Sequence, residues 1–279
     1  MKENNNQEIC APGKEYTESS CLSLDSLIKI AEAYNEHIAI KNKKVIPMIF
    51  EKRFLVKEIH KRLKHICKDQ LCWIKQDFVK RLRDTEINDY TFRPSGPSNN
   101  LNWLNTDNIN KVIKQYYKLY SDFRFFGAVP IDFDDLPILG ISNLDFEELY
   151  QNNIHKLGFV FNLDEHWKSG SHWVAMYSNI KTNEIYFFDS YGIIPDKRID
   201  ALIKRIESFC KEKTGKNPIV KYNKIRHQFK NTECGVYSIN FILRLLKGET
   251  FNEITNNITN DDLMSKCRKI YFNKNKLSK

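Results

Sequence analysis

Four polar side chains stand in a fixed order along the chain. His172 leads into Trp173-Val174-Ala175-Met176-Tyr177, Asp189 follows Phe187-Phe188, Gln228 opens a polar stretch, and Cys234 ends it just before Gly235. A thiolate attacks a carbonyl carbon readily, but it needs a nearby base to form at neutral pH and donors to hold the oxyanion that follows. These residue types supply each part. Cys234 is the expected nucleophile and His172 the base. Asp189 would accept from the far imidazole nitrogen and fix its tautomer, while the Gln228 side-chain amide and the Cys234 backbone N–H would hold the oxyanion. A lone cysteine is more often a small buried hydrophobe. Here the preceding Asn231-Thr232-Glu233 is loop-like and a glycine follows, which suits an accessible thiol.

The elements must then place these groups together. Val236, Ile239, Leu243 and Leu246 recur at helical spacing and Gly248 closes the run, so Cys234 is expected at a helix N-terminus, where partial positive charge favours thiolate over thiol. Leu157 to Leu163, His172 to Tyr177 and Glu184 to Asp189 read as strands of a meander, rich in aromatic and β-branched residues. Neighbouring antiparallel strands would bring Asp189 beside His172. His166, before Lys168-Ser169-Gly170, and His227, adjoining Gln228, are alternative bases; His172 is preferred because it opens a strand that would hold its ring rigidly. Asp196 to Lys213 reads as an amphipathic helix, Pro218 to Ile225 as a further strand, and a last helix is expected from Asp261 to about Phe272.

Residues 22 to 90 carry Leu55, Ile59, Leu63 and Ile66 at helical spacing, and Arg93-Pro94-Ser95-Gly96-Pro97-Ser98-Asn99-Asn100 concentrates turn formers. The expected organisation is therefore a helical N-terminal region over 1–92, a linker over 93–100 and a catalytic domain over 101–279. A chain of 279 residues with 41% hydrophobic and 28% charged residues has a globular composition. No apolar run suggests a signal peptide or a membrane span, so an intracellular protein without membrane partners is expected. Seven cysteines are an odd number on such a chain, and free thiols are the expectation. His60, His65, Cys67 and Cys72 crowd one segment, but Cys-x₄-Cys on a helix does not place both thiolates on one face, so neither a metal nor another cofactor is expected. The net charge of +9 permits a nucleic-acid partner through a basic surface, although scattered lysines more often make a solvated face.

The residues resemble the SUMO-deconjugating and adenovirus-type cysteine peptidases, which share the order His, Asp or Asn, Gln, Cys. The likeness rests on His172-Trp173, Phe187-Phe188-Asp189-Ser190, and Gln228 followed after five residues by Cys234-Gly235; Trp103-Leu104-Asn105 with Asp107 is similar to the family's Trp-Leu-Asn-Asp element with one residue inserted. The linker and the run Lys224-Ile225-Arg226-His227-Gln228 resemble most the core-polyprotein proteases of large cytoplasmic DNA viruses, of the African swine fever virus type. Asp189 departs from the Asn of that enzyme and follows the SUMO-protease version.

The resemblance implies an α+β fold of adenain type, with a central mixed sheet flanked by helices. It also implies a cysteine endopeptidase that cleaves viral core polyproteins after Gly-Gly during virion maturation, in the virion and the host cytoplasm. By the same analogy Trp103 and Trp173 bind substrate from opposite sides of the cleft, and two indoles over an extended backbone would exclude Cβ atoms. Three other readings of the residues are removal of SUMO or ubiquitin-like modifiers, acetyl transfer through the same thiol, and a basic virion protein on an inert form of the fold.

Overall fold

The computed structural model describes residues 9–39, 44–97 and 101–273. The last three residues of the expected linker, 98–100, lie outside the described residues, as do 1–8, 40–43 and 274–279. The chain forms two compact units: among the described residues, one takes 9–94 with 272 and 273, the other 95–271.

The first unit is helical: α1 (Leu24–Ala39), α2 (Lys52–Leu63), α3 (Gln70–Ile74), α4 (Asp77–Lys80) and α5 (Thr85–Asp89). Leu55, Ile59 and Leu63 pack with Leu27, Ile30, Trp73 and Val79 in one core, as their four-residue spacing requires. Ile66 departs from that stripe because α2 stops at Leu63, and it stands exposed. Asp69 and Asp84 cap α3 and α5, accepting from the Cys72 and Ile87 backbone N–H groups at 2.9 and 3.1 Å.

The cysteines correct the expectation of free thiols. Cys10–Cys21 and Cys67–Cys72 are disulfides, with Cα separations of 5.5 and 5.3 Å. Cys67 and Cys72 do not share a helix: the turn between α2 and α3 carries the first and α3 the second, which lets them meet at a spacing that one continuous helix would not allow. Cys210, Cys234 and Cys267 remain free.

The second unit begins with α6 (Thr106–Lys114), where Asn105 and Asn108 form a reciprocal capping box. Then follow β1 (Phe123–Pro130), α7 (Phe146–Gln151), β2 (Lys156–Asn162), β3 (Trp173–Asn179), β4 (Glu184–Phe188), α8 (Lys197–Thr214), β5 (Ile219–Tyr222), α9 (Cys234–Leu246), α10 (Phe251–Asn256) and α11 (Asp261–Tyr271). The sheet runs in the order β1-β2-β3-β4-β5. The meander β2-β3-β4 is antiparallel, and β1 and β5 join its two edges in parallel. Parallel neighbours need crossovers, and α7 and α8 lie in those connections.

Ile199, Leu202, Ile203 and Ile206 of α8 share a core with Phe159, Phe161, Met176 and Phe187 of the strands. α9 packs across β3 on the sheet's other side, with Phe241 stacked on Phe188 at 5.0 Å. A sheet covered on both faces reads as near-continuous apolar strands, which is why β2 and β3 show little alternation in sequence. Among the described residues no helix is long and apolar enough to cross a membrane, and no group of three or more ligating side chains is placed to hold a metal ion.

Candidate active site

All of the candidate residues lie in the second unit. Cys234 is the first residue of α9, whose buried face (Val236, Ile239, Ile242, Leu243) seats it against the sheet. His172 immediately precedes β3 and Asp189 immediately follows β4. The β3/β4 register pairs Ala175 with Phe188, so one step beyond the ladder His172 and Asp189 are diagonal neighbours. His172 Nε2 lies 2.7 Å from Asp189 Oδ1, and both side chains are buried.

That arrangement leaves Nδ1 of the same ring for Cys234, with which His172 interacts by hydrogen bonding and charge. Burial alone would depress the imidazole's pKa, but bonding and charge from Asp189 and Cys234 outweigh it and push the group up to about 9. The imidazolium is therefore favoured next to the sulfur, as a thiolate–imidazolium pair requires.

Further residues, which the sequence did not point to, hold this pair. The Asn223 side chain accepts from the Asp189 N–H and donates to the Asp189 carbonyl, each at 2.8 Å. Asp189 Oδ1 accepts a second bond from the Tyr191 N–H at 2.9 Å, and the Tyr191 ring stacks on His172 with centroids 4.4 Å apart. The turn closes with the Gly192 N–H donating to the Asp189 carbonyl at 2.8 Å. Gly192 has φ +75°, and a Cβ there would lie 3.0 Å from the Ile225 backbone, so only glycine suits it. A diagonal His–Asp pair is legible from strand spacing; Asn223 lies 34 residues from Asp189 and carries no local signal.

Gln228 is fully buried. Its Oε1 accepts from Ser190 Oγ at 2.7 Å, and its Nε2 donates to the Lys230 carbonyl at 2.5 Å. An amide nitrogen carries two hydrogens, so one N–H remains for another acceptor. The loop holding Gln228 is fastened by the His227 and Gln228 N–H groups to the Ser190 carbonyl at 2.8 and 2.9 Å, and by the Phe229 and Lys230 N–H groups to Asp261 Oδ2.

The alternative histidines stand apart from this cluster. His227 is buried among Phe188 and Tyr237 with Nε2 3.1 Å from the Thr255 carbonyl, and burial lowers its pKa. His166 instead bonds Asp132: its Nδ1 lies 2.6 Å from Oδ2, and its N–H donates to Oδ1 at 2.9 Å.

The Cys234 residue is only 3% exposed, where an accessible thiol was expected. Trp173 and Leu104 cover the start of α9: a Cβ added to Gly235 would lie 3.1 Å from Leu104 Cβ and 3.3 Å from Trp173 Cδ1. The Trp173 indole donates to the Leu104 carbonyl at 2.8 Å. Trp103, 46% exposed, lines a cavity of about 340 Å³ that also reaches Trp173, Pro130, Asn162, His166 and Ser169. The two indoles thus border one cavity, and Trp173 also packs on Gly235, the residue after the buried thiol.

Comparison with known proteins points to a cysteine peptidase. The profile of the Ulp1 protease family, C-terminal catalytic domain, matches residues 160–279. The chain is 35% identical over 280 aligned residues to a protein named as a thiol protease of Acanthamoeba polyphaga mimivirus, covering 95% of this chain and 93% of that one. It is 23% identical to a cysteine protease of African swine fever virus over 227 residues, 74% of this chain and 83% of the relative. A solved protease structure from African swine fever virus shares the fold, with a TM-score of 0.68 at 20% identity over 96% of each chain. The α+β architecture, the thiol seated at a helix start and the 35% relative together place the chain in the Ulp1 family of cysteine peptidases.

Proposed function

We propose that this cysteine peptidase cleaves after Gly-Gly in viral core polyproteins during virion maturation, with its catalytic residues in the domain expected over 101–279 and its helical region over 1–92 aiding substrate or particle recognition. The observation that carries the reading is Cys234 at the start of α9, interacting with the buried His172–Asp189 pair, in a domain that also holds a cavity bordered by two indoles. Such a cavity admits an extended backbone more easily than one bearing side chains.

In this reading the Cys234 thiolate attacks the carbonyl carbon of the second glycine, forming a C–S bond. The oxyanion takes bonds from the Cys234 N–H and the remaining Gln228 N–H. His172, as imidazolium, gives its proton to the leaving amine as the C–N bond breaks, then takes one from the water that attacks the acyl carbon; the C–S bond breaks, the carboxylic acid leaves, and the thiolate–imidazolium pair is restored. Asp189 holds the ring through Nε2.

Peptides containing Gly-Gly-Xaa test the reading directly: wild type should cleave after the second glycine and Cys234→Ser should not. Equal cleavage of Ala-Ala-Xaa would defeat the glycine selectivity. A second reading, removal of a ubiquitin-like modifier, draws support from the name SUMO-1 cysteine protease given to swine fever virus relatives 23% identical to this chain. Labelling of Cys234 by a SUMO or ubiquitin vinyl-sulfone probe would favour it over polyprotein processing. Binding of nucleic acid through the basic surface, and residence in the virion and host cytoplasm, belong to the same proposal.

A further inference from the structure

Behind Cys234 lies a buried ion pair that the proposed chemistry leaves unused. Arg268 on α11 and Glu233, the residue before Cys234, are 4% and 2% exposed. Three nitrogens of the guanidinium are engaged. Nε donates to Glu233 Oε2 at 2.8 Å, Nη2 to the Thr232 carbonyl at 2.9 Å, and Nη1 to the Asn102 carbonyl at 2.9 Å. Two of these bonds grip the turn that delivers Cys234. The third grips the residue next to Trp103.

On its other side Trp103 is followed by Leu104, whose carbonyl accepts from the Trp173 indole at 2.8 Å. Trp103 therefore sits between two anchored carbonyls, one tied to the opposite indole and one to the arginine that holds the nucleophile's turn. A buried ion pair is weak evidence for stability, because desolvation offsets much of its attraction. A planar fork reaching three fixed acceptors does set geometry.

We propose that Arg268 is a positioning residue that sets the gap between Trp103 and Cys234, and through it the selectivity for a substrate backbone without side chains. The inference rests on the cleft reading above. Arg268 itself touches no substrate. If the pair only stabilised the fold, losing it would reduce the amount of active enzyme and lower cleavage of every substrate in the same proportion. A clamp instead changes the ratio between substrates. Lysine at 268 keeps a charge for Glu233, but an ammonium cannot span the three acceptors.

The test compares the full-length wild type with R268K on matched Gly-Gly-Xaa and Ala-Ala-Xaa peptides. R268K is expected to lower the Gly-Gly to Ala-Ala ratio of kcat/KM by about tenfold, the low end of what fitting one methylene is worth. KM for Gly-Gly should rise while kcat stays within about threefold, the pattern of lost binding rather than lost chemistry. In a Trp103→Ala background, where the ratio is already low, R268K should lower it no further. The neutral double variant R268Q/E233Q, which leaves no buried charge without a partner, should repeat the result should R268K not fold. An unchanged ratio with both substrates falling together would overturn the clamp, as would effects of Trp103→Ala and R268K that multiply. Equal wild-type rates on the two peptides would overturn the glycine reading alone; the clamp then stands or falls on whether R268K raises KM while kcat holds.

Discussion

The chemistry proposed for this chain turns on a single ring, that of His172, and on what each of its nitrogens meets. Asp189 at Nε2 and Cys234 beside the ring together raise its pKa to about 9 against the opposing effect of burial. Because the folded value lies above the ordinary 6.5, the interaction's stabilisation is fully present below 6.5 and is lost as pH rises through about 9. Peptidase activity should therefore fall on the alkaline side near pH 9, as the imidazolium loses its proton. Asp189→Asn should move that limb to lower pH, which a pH profile of kcat/KM would show; an unmoved limb would remove Asp189 from the role. Cys234→Ala should lower kcat by at least about 10³-fold, since the nucleophile has no substitute. Gln228→Ala should lower kcat by about 10²- to 10³-fold with little change in KM, the signature of a donor used only in the transition state.

At the scale of elements, the start of α9 is the tightest constraint. Gly235 lies under Leu104 and Trp173, and the nearest approach of an added Cβ would be 3.1 Å. Gly235→Ala should cost about 1 to 3 kcal/mol by overpacking, read as a lower denaturant midpoint, and should slow alkylation of Cys234 by shifting the turn. The helix itself was legible: a polar loop, a glycine and an apolar stripe mark its beginning. The meander was legible too, because its strands are short, aromatic and divided by polar turns. The burial of Cys234 was not, and neither was the packing of Leu104 and Trp173 on the next residue, Gly235, since both come from distant segments.

At the scale of the whole molecule, the disulfides make the sharpest difference from expectation. Both fall in the first unit, while Cys210, Cys234 and Cys267 stay free. Thiol titration in denaturant should therefore count three groups without reductant and all seven after reduction, the number of cysteines in the chain. Each bridge should contribute about 2 to 3 kcal/mol by restricting the unfolded chain, given the short loops closed, so reductant should lower the thermal midpoint of the first unit. Counting cysteines against an expected compartment addressed redox setting alone, whereas pairing depends on which Cα atoms the fold brings within about 6 Å.

By itself, the sequence determined the class of chemistry and the local frame of the site. The order of His172, Asp189, Gln228 and Cys234, and the periodicities around them, follow from neighbours within one strand, turn or helix. Tertiary structure decided what reaches across the chain: Asn223 on Asp189, Tyr191 over His172, Arg268 joining Thr232, Glu233 and Asn102, and the two indoles along one cavity. Those bonds link residues 34 to 166 positions apart in several cases, where no periodicity carries information and only packing and the need to satisfy buried polar groups select the partner.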